Sequence, residues 1–144
     1  MILKATRKEL GALAALALEL WPDHSREEME TEFASLLERD DAACFLCLWE
    51  QNPVGFAQCQ LRRDYVEGAD FSPVGYLEGI FVSEGFRGRG IARQLLSACE
   101  NWAKEKGCRE FASDCELTNT QSLAFHLKSG FAEANRIICF VKPL

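Results

Sequence analysis

The chain has 144 residues, 48% of them hydrophobic, and 16 Lys and Arg against 22 Asp and Glu give a formal charge of −6. That length and apolar content suit one domain around a single core. The acidic balance excludes the broad basic footprint of a non-specific nucleic-acid binder, and no segment is apolar for long enough to cross a membrane.

In chain order, Ile2 to Ala5 is predicted as a short strand. Lys4, Arg7 and Lys8 ahead of LGALAALALEL give the faint outline of a signal peptide. Glu9 and Glu19 bracket that run, however, and Thr6 with Glu9 makes a capping box, so the segment reads as a first amphipathic helix from about Arg7 to Trp21. Pro22 ends it. Ser25 and Glu28 repeat the capping signal for a second helix carrying Met29, Phe33, Leu36 and Leu37 on its apolar stripe. Ala43 to Glu50 and Val54 to Leu61 are expected as a hairpin turning at Gln51-Asn52-Pro53.

A loop from Arg62 to Val74 leads to a strand from Gly75 to Val82. Ile91, Leu95, Ala98, Cys99 and Trp102 mark a third helix closed by Gly107. Phe111 to Ser113 is a short strand ending near Asp114. Asn119 caps a fourth helix running to Lys128 and stopped by Gly130. Phe131 and Ile137 to Val141 are expected to supply the last strand. The order predicts an α/β (α+β) domain over residues 1–144, with a mixed sheet.

Seven cysteines occur: Cys44, Cys47, Cys59, Cys99, Cys108, Cys115 and Cys139. Only Cys44 and Cys47 have C-x-x-C spacing, and in a strand residues three apart face opposite sides. With two histidines, His24 and His126, no metal site is expected. The cysteines read as small packing residues of a reducing, cytoplasmic setting.

The most informative stretch is FVSEGFRGRGIARQLL, from Phe81 to Leu96. Gly88 and Gly90 lead straight into a helix, whose first turn offers unpaired N–H groups and the positive end of its dipole. Arg87, Arg89 and Arg93 add local positive charge. This is a compact anion cradle. A P-loop is excluded by the absent Lys-Ser/Thr pair. A dinucleotide fingerprint fits only in part, because Arg93 stands at its third glycine position and too little chain follows.

Arg87-x-x-Gly90-x-Ala92 resembles the pyrophosphate motif of GNAT acetyltransferases, with the strand before it and Asn119 opening the later helix. LWPDH at residues 20–24, DYVEGADFSPVGYLEGIFV at residues 64–82 and GCREFASD at residues 107–114 extend the likeness over nearly the whole chain. These segments resemble the aminoglycoside 6′-N-acetyltransferases. The resemblance implies a mostly antiparallel central sheet flanked by about four helices. It also implies transfer of an acetyl group from acetyl-CoA to the 6′-amine of an aminoglycoside antibiotic, conferring resistance, and a homodimer, in some relatives with exchanged C-terminal strands.

Carried onto this sequence, the resemblance places the coenzyme against Ile80, Phe81, Val82, Arg87, Gly88, Arg89, Gly90, Ile91, Ala92, Arg93 and Asn119. The family has a bulge in the strand before the loop, which Gly79 accommodates. Glu78 and Asp114 are the candidate catalytic carboxylates and also bind the substrate amine. Trp21, His24 and Tyr65 match positions lining the sugar site, and Asn135, also on the substrate side, stands where some relatives carry a glutamate, which implies a weaker contact to a distal amine. Asp64, Glu67, Asp70, Glu116 and Glu133 either add an attracting field or are simply solvated. His126 stands where many relatives place a tyrosine that protonates the departing thiolate, and is either that donor or a packing residue. Two other readings are a polyamine or peptide N-terminal amine as acceptor, and a non-catalytic acyl-CoA-binding module.

Overall fold

The structure is a computed structural model describing residues 1–144. Five strands form one sheet in the order β1-β2-β3-β4-β5. They are β1 (Ile2–Lys4), β2 (Ala42–Trp49), β3 (Asn52–Arg62), β4 (Val74–Val82) and β5 (Phe111–Ser113). Neighbours from β1 to β4 are antiparallel, and β4 pairs with β5 in parallel. The helices are α1 (Leu10–Leu20), α2 (Arg26–Leu37), α3 (Ile91–Glu105) and α4 (Thr120–Lys128).

Local signals account for the helix starts. Both capping boxes form: Thr6 with Glu9 opens a 3₁₀ turn, Arg7–Glu9, that leads into α1, and Ser25 with Glu28 opens α2. Asn119 accepts the Ser122 N–H at 3.1 Å and opens α4.

The sheet alternation then divides the core. On one face α1 and α2 bury Leu13, Met29, Phe33, Leu46 and Phe56; on the other α3 buries Ala57, Cys59, Leu77, Leu95, Cys99 and Trp102. Phe56, 0% exposed, meets Phe33 and Trp21 edge-on at 5.9 and 6.0 Å between ring centroids. Full burial of such a side chain contributes about 1.5–3 kcal/mol. Cys44 and Cys47 fall into different clusters, on opposite faces of β2.

Two expectations are corrected. The β2–β3 turn is Glu50-Gln51, both at positive φ (48° and 69°), while Asn52 and Pro53 already belong to β3. A two-residue hairpin needs that left-handed pair to match the strand twist, and here non-glycine residues adopt it. Secondly, Ile137 to Val141 form no strand. Strands are made by pairing, and no strand of the sheet pairs with this segment; Ile137, Ile138, Phe140 and Val141 are 68–96% exposed. Phe131 instead packs against Phe111 and His126.

Candidate active site

The site begins with an interruption in β4. Its register on β3 runs Gln58↔Gly79 and then Cys59↔Leu77, so Glu78 is an extra residue without a partner. Such a bulge bends the strand and re-aims a side chain. The Glu78 carboxylate receives Gln60 Nε2 at 3.1 Å and Arg62 Nη2 at 2.6 Å. Beside it, Gly79 leaves the room into which Trp21 packs.

β5 pairs with β4 only from Gly75 to Leu77. Beyond Leu77, β4 continues to Val82 with a neighbour on its β3 edge alone, so alternate backbone groups of that stretch face an opening. The side chains of Ile80, Phe81 and Val82 are in the core, which leaves their backbone as what they offer there. Asp114 follows the last residue of β5, where β5 has left the sheet. Its Oδ2 accepts the Tyr76 hydroxyl.

Past Val82 the chain makes a 3₁₀ turn and reaches α3 through Gly88 (φ 77°) and Gly90 (φ 78°). These left-handed conformations favour glycine, and a Cβ at either position would meet no protein atom within 4 Å. The first α3 amide with a backbone acceptor is Gln94, bonded to Gly90 O at 3.1 Å. The N–H groups from Gly88 to Arg93 have no protein acceptor, which fits a coenzyme pyrophosphate approaching the bare backbone.

The arginines are less concentrated on this loop than their spacing suggests. Arg87 Nε donates to Val82 O at 2.9 Å, and Arg93 Nη2 donates to Lys128 O at 2.6 Å, at the C-terminal end of α4. Arg89 lies over the rings of Trp49 and Phe86 at 4.9 and 5.4 Å. The cradle is therefore chiefly backbone.

Trp21, His24 and Glu78 line one cleft of ≈ 230 Å³, together with Met29, Glu32 and Gln58. Tyr65 lines a neighbouring cavity with Arg39, Asp41, Gln60 and Arg62. Tyr65 and Asn135 are joined through Glu67, whose carboxylate accepts from both at 2.5 and 2.9 Å. These bonds hold the Glu67 carboxyl below its ordinary value and push the Tyr65 phenol up. His126 is tied down on both nitrogens: Nδ1 donates to Ser122 O at 2.7 Å and Nε2 accepts from the Ser113 hydroxyl at 2.8 Å. It clips α4 to β5.

Gln58, Gln60, Arg62 and Tyr76 are site residues that the sequence reading missed. Gln58, Gln60 and Arg62 alternate along β3, a period-2 polar row interleaved with buried Cys59 and Leu61, and that pattern is visible in the sequence.

A sheet open between two parallel strands, ending at a helix start that presents bare amides, is the architecture of an acyl-coenzyme-dependent transferase. The family model described as Acetyltransferase (GNAT) family matches residues 10–131, and the chain belongs to this family. It is 41% identical over 143 residues to the aminoglycoside N(6′)-acetyltransferase type 1 of Stenotrophomonas maltophilia, covering 99% of this chain and 93% of that one. To the protein of the same name from Salmonella typhimurium (strain LT2) it is 40% identical over 141 residues, 98% and 97% of the two chains. A solved structure of AAC(6′)-Iy in complex with the bisubstrate analog CoA-S-monomethyl-acetylneamine superposes with a TM-score of 0.96 at 39% identity, covering 100% of this chain and 98% of that one.

Proposed function

We propose that this chain, one acetyltransferase domain over residues 1–144, moves an acetyl group from acetyl-CoA to the 6′-amine of aminoglycoside antibiotics. The observation that carries the reading is the meeting, at the β4 bulge, of Glu78 and Trp21 in one cleft beside the opening that leads to the bare amides of α3. The relatives and the bisubstrate complex supply the substrate.

Acetyl-CoA supplies an acetyl group activated as a thioester. The amides from Gly88 to Arg93 hold the pyrophosphate, with Arg87 and Asn119 at the borders of its site. Backbone groups of Ile80, Phe81 and Val82 hold the pantetheine arm and polarise the carbonyl. Oriented donors of this kind are worth about 2.7–4 kcal/mol each in acyl transfer.

An alkylamine arrives as an ammonium and must lose a proton before it attacks. Glu78 and Asp114 are the carboxylates beside that cation, and one of them takes the proton, for about 10²–10⁴-fold in rate. Trp21 and His24 receive the sugar, and the Tyr65–Glu67–Asn135 linkage borders the outer part of the substrate. Transfer is direct: Cys44, Cys47, Cys59, Cys99 and Cys108 are buried, and none is needed as a nucleophile. Replacing an ammonium by a neutral amide weakens a polycationic drug, which is how the reaction confers resistance.

The reading extends to a cytoplasmic setting, supported by five buried thiols packed as apolar residues. It also extends to a homodimer, supported by the exposed apolar segment Ile137 to Val141, which a second copy of this chain would cover.

The test is a steady-state comparison of kanamycin and tobramycin with spermidine and a peptide N-terminus, using acetyl-CoA. Clear preference for the aminoglycosides is expected. A polyamine or peptide leading the panel overturns the substrate. Coenzyme binding without turnover on any amine makes the chain a binding module.

A further inference from the structure

The two carboxylates at the opening are not equivalent, and Arg62 is the reason. Arg62 Nε and Nη2 donate to Glu78 Oε1 at 2.9 and 2.6 Å, and Nη2 also reaches Oε2 at 2.8 Å. With Gln60, the Glu78 carboxylate accepts four contacts, three of them from a cation. The Arg62 guanidinium carbon also stacks 3.4 Å from the centroid of the Tyr76 ring.

Tyr76 in turn donates its hydroxyl to Asp114 Oδ2. Burial and the Asp114 carboxylate push the Tyr76 phenol far up, so it stays a neutral donor. Oδ1 of Asp114 accepts nothing from the protein. One chain of contacts thus joins Glu78, Arg62, Tyr76 and Asp114 and leaves the two ends with different capacities.

We propose that Arg62 is a positioning residue that divides the work of the two carboxylates. Glu78 is neutralised and held as a wall of the cleft, while Asp114, with one oxygen open, receives the substrate ammonium and takes its proton. The inference rests on the amine-acetylation reading above. An ammonium entering at Glu78 competes with a planar fork already matched to the carboxylate. At Asp114 it competes with one neutral hydroxyl.

Charge supports the same division. Glu78, Asp114 and Arg62 sum to −1, so a single ammonium completes neutrality. Without Arg62 the pair would offer two seats to the amine, and a misplaced amine is costly in rate. The surrounding charges do not replace Arg62. On the Glu78 side the cleft has His24 and Glu32, and Arg62 faces a cavity with Arg39, Asp41, Arg63 and Asp64.

The test is steady-state kinetics of Arg62→Met, Arg62→Lys, Glu78→Gln and Asp114→Asn, with the double variant Arg62→Met/Glu78→Gln. Asp114→Asn is expected to lower kcat by about 10²-fold or more, and Glu78→Gln to act mainly on the aminoglycoside KM, by roughly tenfold. Arg62→Met should lower kcat by about tenfold with the acetyl-CoA KM and the circular dichroism spectrum unchanged, and Arg62→Lys should recover part of it. Because Arg62 acts through Glu78, the two single effects should not multiply in the double variant.

Arg62→Met kinetics within about two-fold of wild type, multiplying effects, or a larger kcat loss in Glu78→Gln than in Asp114→Asn each overturn the inference. Wild-type protein with no turnover on any amine overturns the function and this inference together. An indifferent Arg62 in an active enzyme overturns only the inference.

Discussion

Trp21 rests against Gly79 at the β4 bulge: a Cβ at residue 79 would lie 2.8 Å from Trp21 Cη2 and 2.9 Å from Cζ2. The missing side chain is thus what lets the indole, at the end of α1, reach the sheet beside Glu78. Gly79→Ala must tilt the indole or the strand, and overpacking of this kind costs about 1–3 kcal/mol. The expected outcome is an aminoglycoside KM raised roughly tenfold with the acetyl-CoA KM unchanged. Kinetics with both substrates varied check it, and equal effects on the two KM values contradict it.

Gly90 sits at φ 78° with open space around its would-be Cβ. A β-branched residue there carries a backbone strain of about 1–3 kcal/mol and projects atoms over the bare amides where the pyrophosphate is proposed to sit. Gly90→Val should weaken CoA binding by about tenfold or more in calorimetry, with a smaller loss for Gly90→Ala. Wild-type affinity in both variants contradicts the close backbone approach.

The seven cysteines divide by burial. Cys115 and Cys139 are exposed, while Cys44, Cys47, Cys59, Cys99 and Cys108 are buried. Burial pushes the Cys44 thiol far up, and the Cys59–Cys99 contact with burial does the same for Cys99. A thiol reagent that needs the thiolate should therefore titrate Cys115 in the native protein, Cys139 as well where no second copy covers it, and all seven after denaturation. Rapid native reaction of more than two contradicts this packing.

The capping box ahead of α1 gives a dependence on acid. Hydrogen bonds from the Thr6 amide and hydroxyl hold the Glu9 carboxyl below its ordinary value of 4.5. A lowered folded-state pKa stabilises above the unfolded value, and the contribution is lost as the pH falls through the folded one. Glu9→Gln should therefore flatten the part of the stability curve just below pH 4.5. Thr6→Ala should cost about 0.5–2 kcal/mol at neutral pH. Urea melts across that range provide the measurement.

Truncation after Arg136 tests the role of the tail. The exposed run beginning at Ile137 contributes little to the fold of one copy, so the shortened chain should keep its circular dichroism spectrum. Light scattering is expected to find a dimer for the full chain and a monomer for the truncated one. A monomeric full chain contradicts the homodimer.

Local chemistry was legible in the sequence. The capping signals at Thr6, Ser25 and Asn119 need only the next three residues, and each forms as read. The helix start after Gly90 was equally plain, because positive φ and unpaired amides are properties of a short segment. The Glu50-Gln51 turn was misplaced by reading Asn-Pro as the turn signal, since nothing in Glu or Gln announces a left-handed conformation.

Residue types at the site were also readable, and their relations were not. Glu78 and Asp114 stood out as carboxylates at strand ends, but the contacts joining them run through Arg62 and Tyr76, on strands brought together only by register. The bulge that turns Glu78 towards Arg62 is one unpaired residue, a property of two strands rather than of either. The last strand failed for the same reason: Ile137 to Val141 has the composition of a strand, yet composition supplies no edge to pair with. Sequence by itself determined the caps, the helix start with its bare amides and the supply of acidic and aromatic groups, because these depend on neighbours a few residues away. Tertiary structure alone decided which carboxylate is already paired and which has an oxygen to spare, because pairing depends on groups that meet only when the sheet closes.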